Sequence, residues 1–137
     1  MSSSAGQLTQ VARRLSPTLL GEMTHPFGAE QVDVDAEQAR SAIEAGGIQL
    51  IDVREPDEWD AGRIAGARRI GLDRLAAEAE SLDREAPVLF YCRVGSRSGM
   101  AAGAFRQAGF DAYSLDGGLV EWQRRGLPLE PDDGTVA

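Results

Sequence analysis

Lysine is absent from this sequence, and all 14 cationic residues are arginine. A phosphate-binding P-loop needs Gly-Lys-Ser/Thr, so that motif is excluded. Histidine and cysteine occur once each, as His25 and Cys92. One cysteine cannot close an internal disulfide. One cysteine and one histidine cannot make a zinc site, so no metal is expected. His25 sits in an irregular stretch and reads as a loop residue, not as the positioned base of a Cys–His dyad. No apolar run approaches the ~18 residues of a membrane span, and no membrane partner is expected. Positive charge is also scarce: 14 arginines face 22 acids, for a net charge of −8. That balance argues against a nucleic-acid partner, whose binding surface would be basic.

What is present suits one globular domain. The chain has 137 residues, of which 42% are hydrophobic, enough for a proper core. Residues 1–29 read as an N-terminal arm, irregular from Ser16 onward. Leu8, Val11, Ala12 and Leu15 have the spacing of a short amphipathic helix. The serine- and arginine-rich start shares the composition of transit peptides, but lacks the apolar segment of a secretory signal. The folded domain is expected over 30–128, with a loose tail at 129–137.

Within 30–128, apolar runs alternate with helical patterns. Strands are expected at 31–34, 48–53, 67–70, 87–91 and 112–115. Asp35 and Gln38 resemble a capping box that opens a helix through Ala45. Further helices are expected at 55–62, 72–82, 98–108 and 118–125. For 72–82 the apolar face is Leu72, Leu75, Ala79 and Leu82. Alternation with short connections predicts βαβ units and a mostly parallel sheet with helices on both faces.

In such sheets ligands bind at the carboxyl ends of strands. Cys92 follows the unbroken apolar run Val88–Tyr91, so topology places the lone thiol at the expected site. No acid lies between Glu85 and Asp111, and this window holds Cys92, Arg93, Arg97 and Arg106. Burial alone would exclude acids, but it does not account for the arginines beside Cys92. The loop Arg93-Val94-Gly95-Ser96-Arg97-Ser98 joins a strand to a helix N-terminus, where N–H groups converge and favour an anion. A free thiol, with pKa ~8.5, is only about 3% thiolate at pH 7. Most of it would ionise after a drop of ~2 units, equivalent to about 2.7 kcal/mol. The helix terminus, the converging N–H groups and the nearby Arg93 and Arg97 are each expected to contribute.

Three stretches carry a resemblance to the rhodanese-type sulfurtransferase domain. They are "LIDVREPDEWDAGRIAGARRI" (50–70), "YCRVGSRS" (91–98) and "LDGGLVEW" (115–122). Their order and spacing are also similar to that family. Arg63, Ala65 and Trp59 depart from its usual residues without removing the nucleophile. The resemblance implies a three-layer α/β/α domain with a five-stranded parallel sheet. It implies a Cys92 thiolate that takes a sulfane sulfur from thiosulfate or a related anion as a persulfide. A thiol, cyanide or protein acceptor then removes that sulfur. No metal or organic cofactor is implied. Backbone N–H groups of 93–97 would hold the persulfide, Arg97 would fix the end of the loop and Arg93 could meet the donor. Asp52 and Arg54 would support the loop; a plainer reading is a salt bridge closing a turn, such as Arg54 with Glu58. Gly117 and Gly118 would serve a tight turn. The expected location is the cytoplasm.

Two other functions fit parts of the pattern. One is a persulfide carrier that delivers sulfur only to a protein partner, with little free turnover. The other is a cysteine-dependent phosphatase of similar fold. Those phosphatases place five residues between Cys and Arg, whereas four separate Cys92 from Arg97. The shorter loop suits a sulfur atom better than a tetrahedral phosphate.

Overall fold

The computed structural model describes Phe27 and residues 31–137. The expected helix of the N-terminal arm lies outside the described residues. The first elements are β1 (Asp33–Val34), α1 (Ala36–Ala45), β2 (Gln49–Asp52), α2 (Pro56–Ala61) and β3 (Arg68–Arg69). After them come α3 (Leu75–Glu78), β4 (Val88–Tyr91), α4 (Ser96–Gln107), β5 (Ala112–Leu115) and α5 (Gly118–Arg124). The five strands form one sheet in the order β1-β5-β4-β2-β3, and every pairing is parallel.

Local chemistry explains where the elements begin. Asp35 accepts from the Gln38 N–H while the Gln38 side chain accepts from the Asp35 N–H, the capping box expected from sequence. Glu55 and Glu58 make a second box around α2, with Pro56 in its first turn. The central strands β4 and β5 are buried at all four positions, as expected for a sheet covered on both faces.

Strand alternation divides the core. Ile51, Phe90 and Ala112 point into a cluster with Leu75, Ala101, Ala102 and Phe105, so α3 and α4 cover this face. Phe105 packs edge-on to Phe90 with ring centroids 5.0 Å apart. The intervening sheet residues, such as Leu50 and Leu89, are buried toward the other face, where α1 packs with α5. Cys92 emerges from the middle of the sheet, one residue beyond β4.

Three expectations need correction. The helix expected over 72–82 is broken into 3₁₀ turns at Leu72–Arg74 and Ala79–Ser81 around the single α turn of α3. Leu75 and Leu82 are buried anyway, because a segmented helix can still deliver the same apolar spacing. The helix expected from Ser98 starts at Ser96 instead. Gly95, at φ 106°, reverses the chain just before it, in a region of backbone space that glycine enters without steric cost. Finally, the tail is tied down. Arg63 and Glu130 exchange backbone hydrogen bonds at 3.0 and 2.7 Å, and the Thr135 N–H donates to the Ala61 carbonyl at 2.8 Å. These partners lie far away in sequence, so the tail's polar composition did not reveal them.

Candidate functional site

The loop after β4 wraps around its own first side chain. The Gly95 N–H lies 3.1 Å from Cys92 Sγ, and the Ser98 N–H lies 3.4 Å from it. Ser98 Oγ is 3.5 Å from the same sulfur. Cys92 has no exposed surface and sits at the start of the 12-residue helix α4. Burial pushes the thiol pKa up. Hydrogen bonds from the Ser98 hydroxyl and from the Ser98, Gly95 and Val94 N–H groups outweigh burial, and the net shift is downward. The geometry therefore favours a negatively charged sulfur.

The arginines contribute differently from the expectation. Arg97 turns both terminal nitrogens onto Glu58, at 2.9 and 3.0 Å. It senses the Cys92 charge, but the lowering at Cys92 comes first from hydrogen bonds. Arg93 is exposed, and its Nε donates to the Ala137 carbonyl at 3.1 Å. Ser96 opens α4, and Val94 is half exposed at the tip of the loop.

The loop is also held from behind. Leu119 and Val120 at the start of α5 donate their N–H groups to the Cys92 and Arg93 carbonyls, at 2.9 and 3.0 Å. Gly118 makes this approach possible: a Cβ there would lie 2.5 Å from the Arg93 carbonyl oxygen and 2.7 Å from that of Cys92. Gly117 and Gly118 thus do more than turn the chain.

Asp52 and Arg54 are both fully buried. Arg54 Nε and Nη2 bond the Asp52 carboxylate at 2.9 and 2.7 Å, and Nη2 also reaches the Gly62 carbonyl at 2.7 Å. The turn-closing bridge suggested between Arg54 and Glu58 is replaced by this pair. Asp52 is only two residues from Arg54, and the Glu58 carboxylate is occupied by Arg97. The pair sits behind the site: Asp52 is in register with Tyr91, the residue before Cys92, and the Arg54 guanidinium lies 5.7 Å from the Tyr91 ring centroid.

Two site residues were missed in the sequence. Glu58 was misassigned because its partner lies 39 residues away. Ser114 was overlooked; its hydroxyl, on β5, lies 2.8 Å from that of Ser98. A hydroxyl in a strand buried at every position was the available signal, since buried polar groups require partners.

The Glu58–Arg97 pair supports a prediction. Hydrogen bonds from Arg97 foremost hold Glu58 at about 2, below its ordinary 4.5. A depressed carboxylate stabilises the fold above its unfolded pKa, and that contribution fades as pH falls toward the folded value. Glu58→Gln keeps the capping acceptor and removes the charge. It is expected to lower stability at pH 7 by about 1–2 kcal/mol. Urea midpoints of variant and parent should converge as pH drops from 4.5 toward 2.

Among the described residues, no group of three His, Cys, Asp or Glu side chains could hold a metal ion, and no helix is long and apolar enough to cross a membrane. The family model for the rhodanese-like domain matches residues 35–125. The chain is 41% identical over 101 residues to the thiosulfate sulfurtransferase GlpE of Pseudomonas aeruginosa, covering 73% of this chain and 90% of that protein. It is 44% identical over 75 residues to the uncharacterized protein YqhL of Bacillus subtilis, covering 54% of this chain and 60% of that one. The crystal structure of a rhodanese-related protein from Thermoplasma volcanium superposes with a TM-score of 0.67 at 28% identity, covering 72% of this chain and 96% of that one.

Proposed function

Because this chain belongs to the rhodanese-like domain family, we propose that it is a sulfurtransferase in which Cys92 carries the sulfur. The observation behind this reading is the cradle around Cys92 Sγ, made by the Gly95 and Ser98 N–H groups and the Ser98 hydroxyl. The Cys92 thiolate attacks the terminal sulfur of thiosulfate or a related anion. A new S–S bond forms, the S–S bond of the donor breaks, and sulfite leaves with the electron pair. An acceptor, either cyanide or a thiolate, then attacks the outer sulfur. The electron pair of the breaking bond returns to Cys92 as thiolate. This is ping-pong covalent catalysis.

Loop geometry supports sulfur as the cargo. Cys92 lies beneath its loop without exposed surface, which suits a slim anion arriving by a single projecting atom. Both terminal nitrogens of Arg97 are engaged by Glu58, so its fork is not offered to a phosphate above the sulfur. Arg93, exposed at the start of the loop, would attract the anionic donor. Asp52 and Arg54 support the strand end beneath the site. The reducing cytoplasm, part of the same proposal, would keep the lone thiol available.

The test is mass spectrometry of the full chain after incubation with thiosulfate, beside an assay of thiocyanate formation from thiosulfate and cyanide. One added sulfur per chain together with thiocyanate is expected. An adduct without turnover would indicate the persulfide carrier. No adduct together with hydrolysis of a phosphate ester would overturn the sulfur reading.

A further inference from the structure

Behind the cradle lie two hydroxyls whose shared hydrogen bond could run either way by distance alone, so its direction follows from the partners around them. Ser98 and Ser114 are both fully buried. The Ser98 hydroxyl has three neighbours: Ser114 Oγ at 2.8 Å, the Gly95 carbonyl at 3.3 Å and Cys92 Sγ at 3.5 Å. Ser114 Oγ has one hydrogen-bond partner among the described residues, Ser98 Oγ.

A hydroxyl has one proton to give and two lone pairs to receive. With a neutral thiol, the S–H donates to Ser98 Oγ, and Ser98 gives its proton to the Gly95 carbonyl. Once the sulfur is ionised it can only accept, and the Ser98 proton swings to it. The Gly95 carbonyl can never donate. In both states Ser98 Oγ is the one acceptor for the Ser114 proton among the described residues, which favours Ser114 as the donor throughout. A hydroxyl that accepts a bond becomes a better donor in turn.

We propose that Ser114 is a positioning residue for the Cys92 sulfur: as the constant donor to Ser98 Oγ, it commits the single Ser98 proton to the sulfur whenever the sulfur is negatively charged. This deepens the proposed sulfur chemistry and rests on it for its purpose, but its test does not require turnover. The register of the sheet makes the placement specific. Ser114 is in line with Phe90 and Ile51 on the adjacent inner strands, both apolar, on the face that α4 covers; the polar Asp33 and Arg68 continue the row only on the edge strands.

Titratable groups also lie on the elements that neighbour the loop, and of these Arg97 interacts with the Cys92 charge. The loop and α4 supply Arg93 and Arg97, and α2 supplies Glu58. From β2 come Asp52 and Arg54. Tyr91 and Tyr113 lie on β4 and β5, and both are shifted upward by burial. From α5 comes Glu121, bonded to Arg124 and Arg125.

The experiment follows the ultraviolet absorbance of the thiolate against pH, on the full chain, with Cys92→Ala as the blank. Cys92 is the sole thiol, so the signal has one source. Ser114→Ala is expected to raise the midpoint by about half to one unit, a threefold to tenfold loss of thiolate at pH values well below the midpoint. Ser98→Ala should raise it further. In the Ser98→Ala background, Ser114→Ala should add nothing. Ser114→Thr retains a hydroxyl and should titrate like the parent. An unchanged midpoint in Ser114→Ala overturns the proposal. So does a Ser114→Ala shift that persists at full size without Ser98. If the midpoints move as expected but no sulfur adduct forms with thiosulfate, the positioning role stands and the sulfurtransferase reading fails.

Discussion

Cys92→Ser is expected to abolish sulfur loading and thiocyanate formation while leaving the melting temperature close to that of the parent. Serine fits the same space and can accept the same hydrogen bonds from the Gly95 and Ser98 N–H groups. What it lacks is acidity and polarisability: an alcohol is a weak nucleophile at its free pKa, and the partners of Cys92 Sγ among the described residues are N–H groups and a hydroxyl, none of them a base. The only histidine, His25, is far away in sequence and lies outside the described residues. Removing a nucleophile of this kind costs roughly a thousandfold or more in rate. Intact-mass measurement after thiosulfate treatment, paired with the cyanide assay and a thermal melt, checks all three parts. Residual loading of the serine variant would mean that sulfur attaches elsewhere and would remove Cys92 from its proposed role.

Arg54→Met is expected to be the most destabilising single change near the site, by about 3–5 kcal/mol. The reason is the charge left behind. Asp52 has no exposure to water, and without the Arg54 guanidinium its buried carboxylate is left with the residue-54 backbone N–H at 2.9 Å and the neutral Tyr91 hydroxyl, neither of which balances its charge. For a domain of this size, the melting temperature should fall by roughly 15 °C. Replacing both members, as Asp52→Leu with Arg54→Met, should be milder than Arg54→Met alone, because desolvating the pair already costs much of what its attraction returns. Melts of the two single variants and the double variant form the test. A double variant as unstable as the sum of the singles would show that the pair is not coupled. Residual sulfur loading in folded Arg54→Met would separate its structural support from chemistry.

The sequence revealed most where the determining contacts are local or repetitive. The unbroken run Val88–Tyr91 announced a strand covered on both faces, and all four residues are buried. Asp35 and Gln38 cap α1 from three residues apart, a spacing that can be read directly. Cys92 at the end of that strand followed from topology. What sequence could not supply was the choice of partner over distance. Arg54 had acids at both Asp52 and Glu58 within reach along the chain, and only the fold shows that Arg97 claims Glu58. For Cys92 the sequence points to the helix terminus, converging N–H groups and both arginines together; the fold shows which N–H groups and hydroxyl lower its pKa, because the direction of an N–H is not visible in a sequence. The break in the 72–82 helix was hidden for another reason: Leu75 and Leu82 meet the core through 3₁₀ turns as well as they would through a continuous helix.

The cover over Cys92 acts in both directions. A sulfur atom held beneath the 93–98 loop is as shielded on departure as on arrival. A loaded chain would therefore lose its cargo slowly to bulky reductants and oxidants, and promptly to an acceptor narrow enough to reach the outer sulfur. The loop would select by girth, and the interval between loading and discharge would be set by how often a slim nucleophile calls. In kinetic terms, if Cys92 carries sulfur, the domain would be a timed store, with the cover over one atom as its clock.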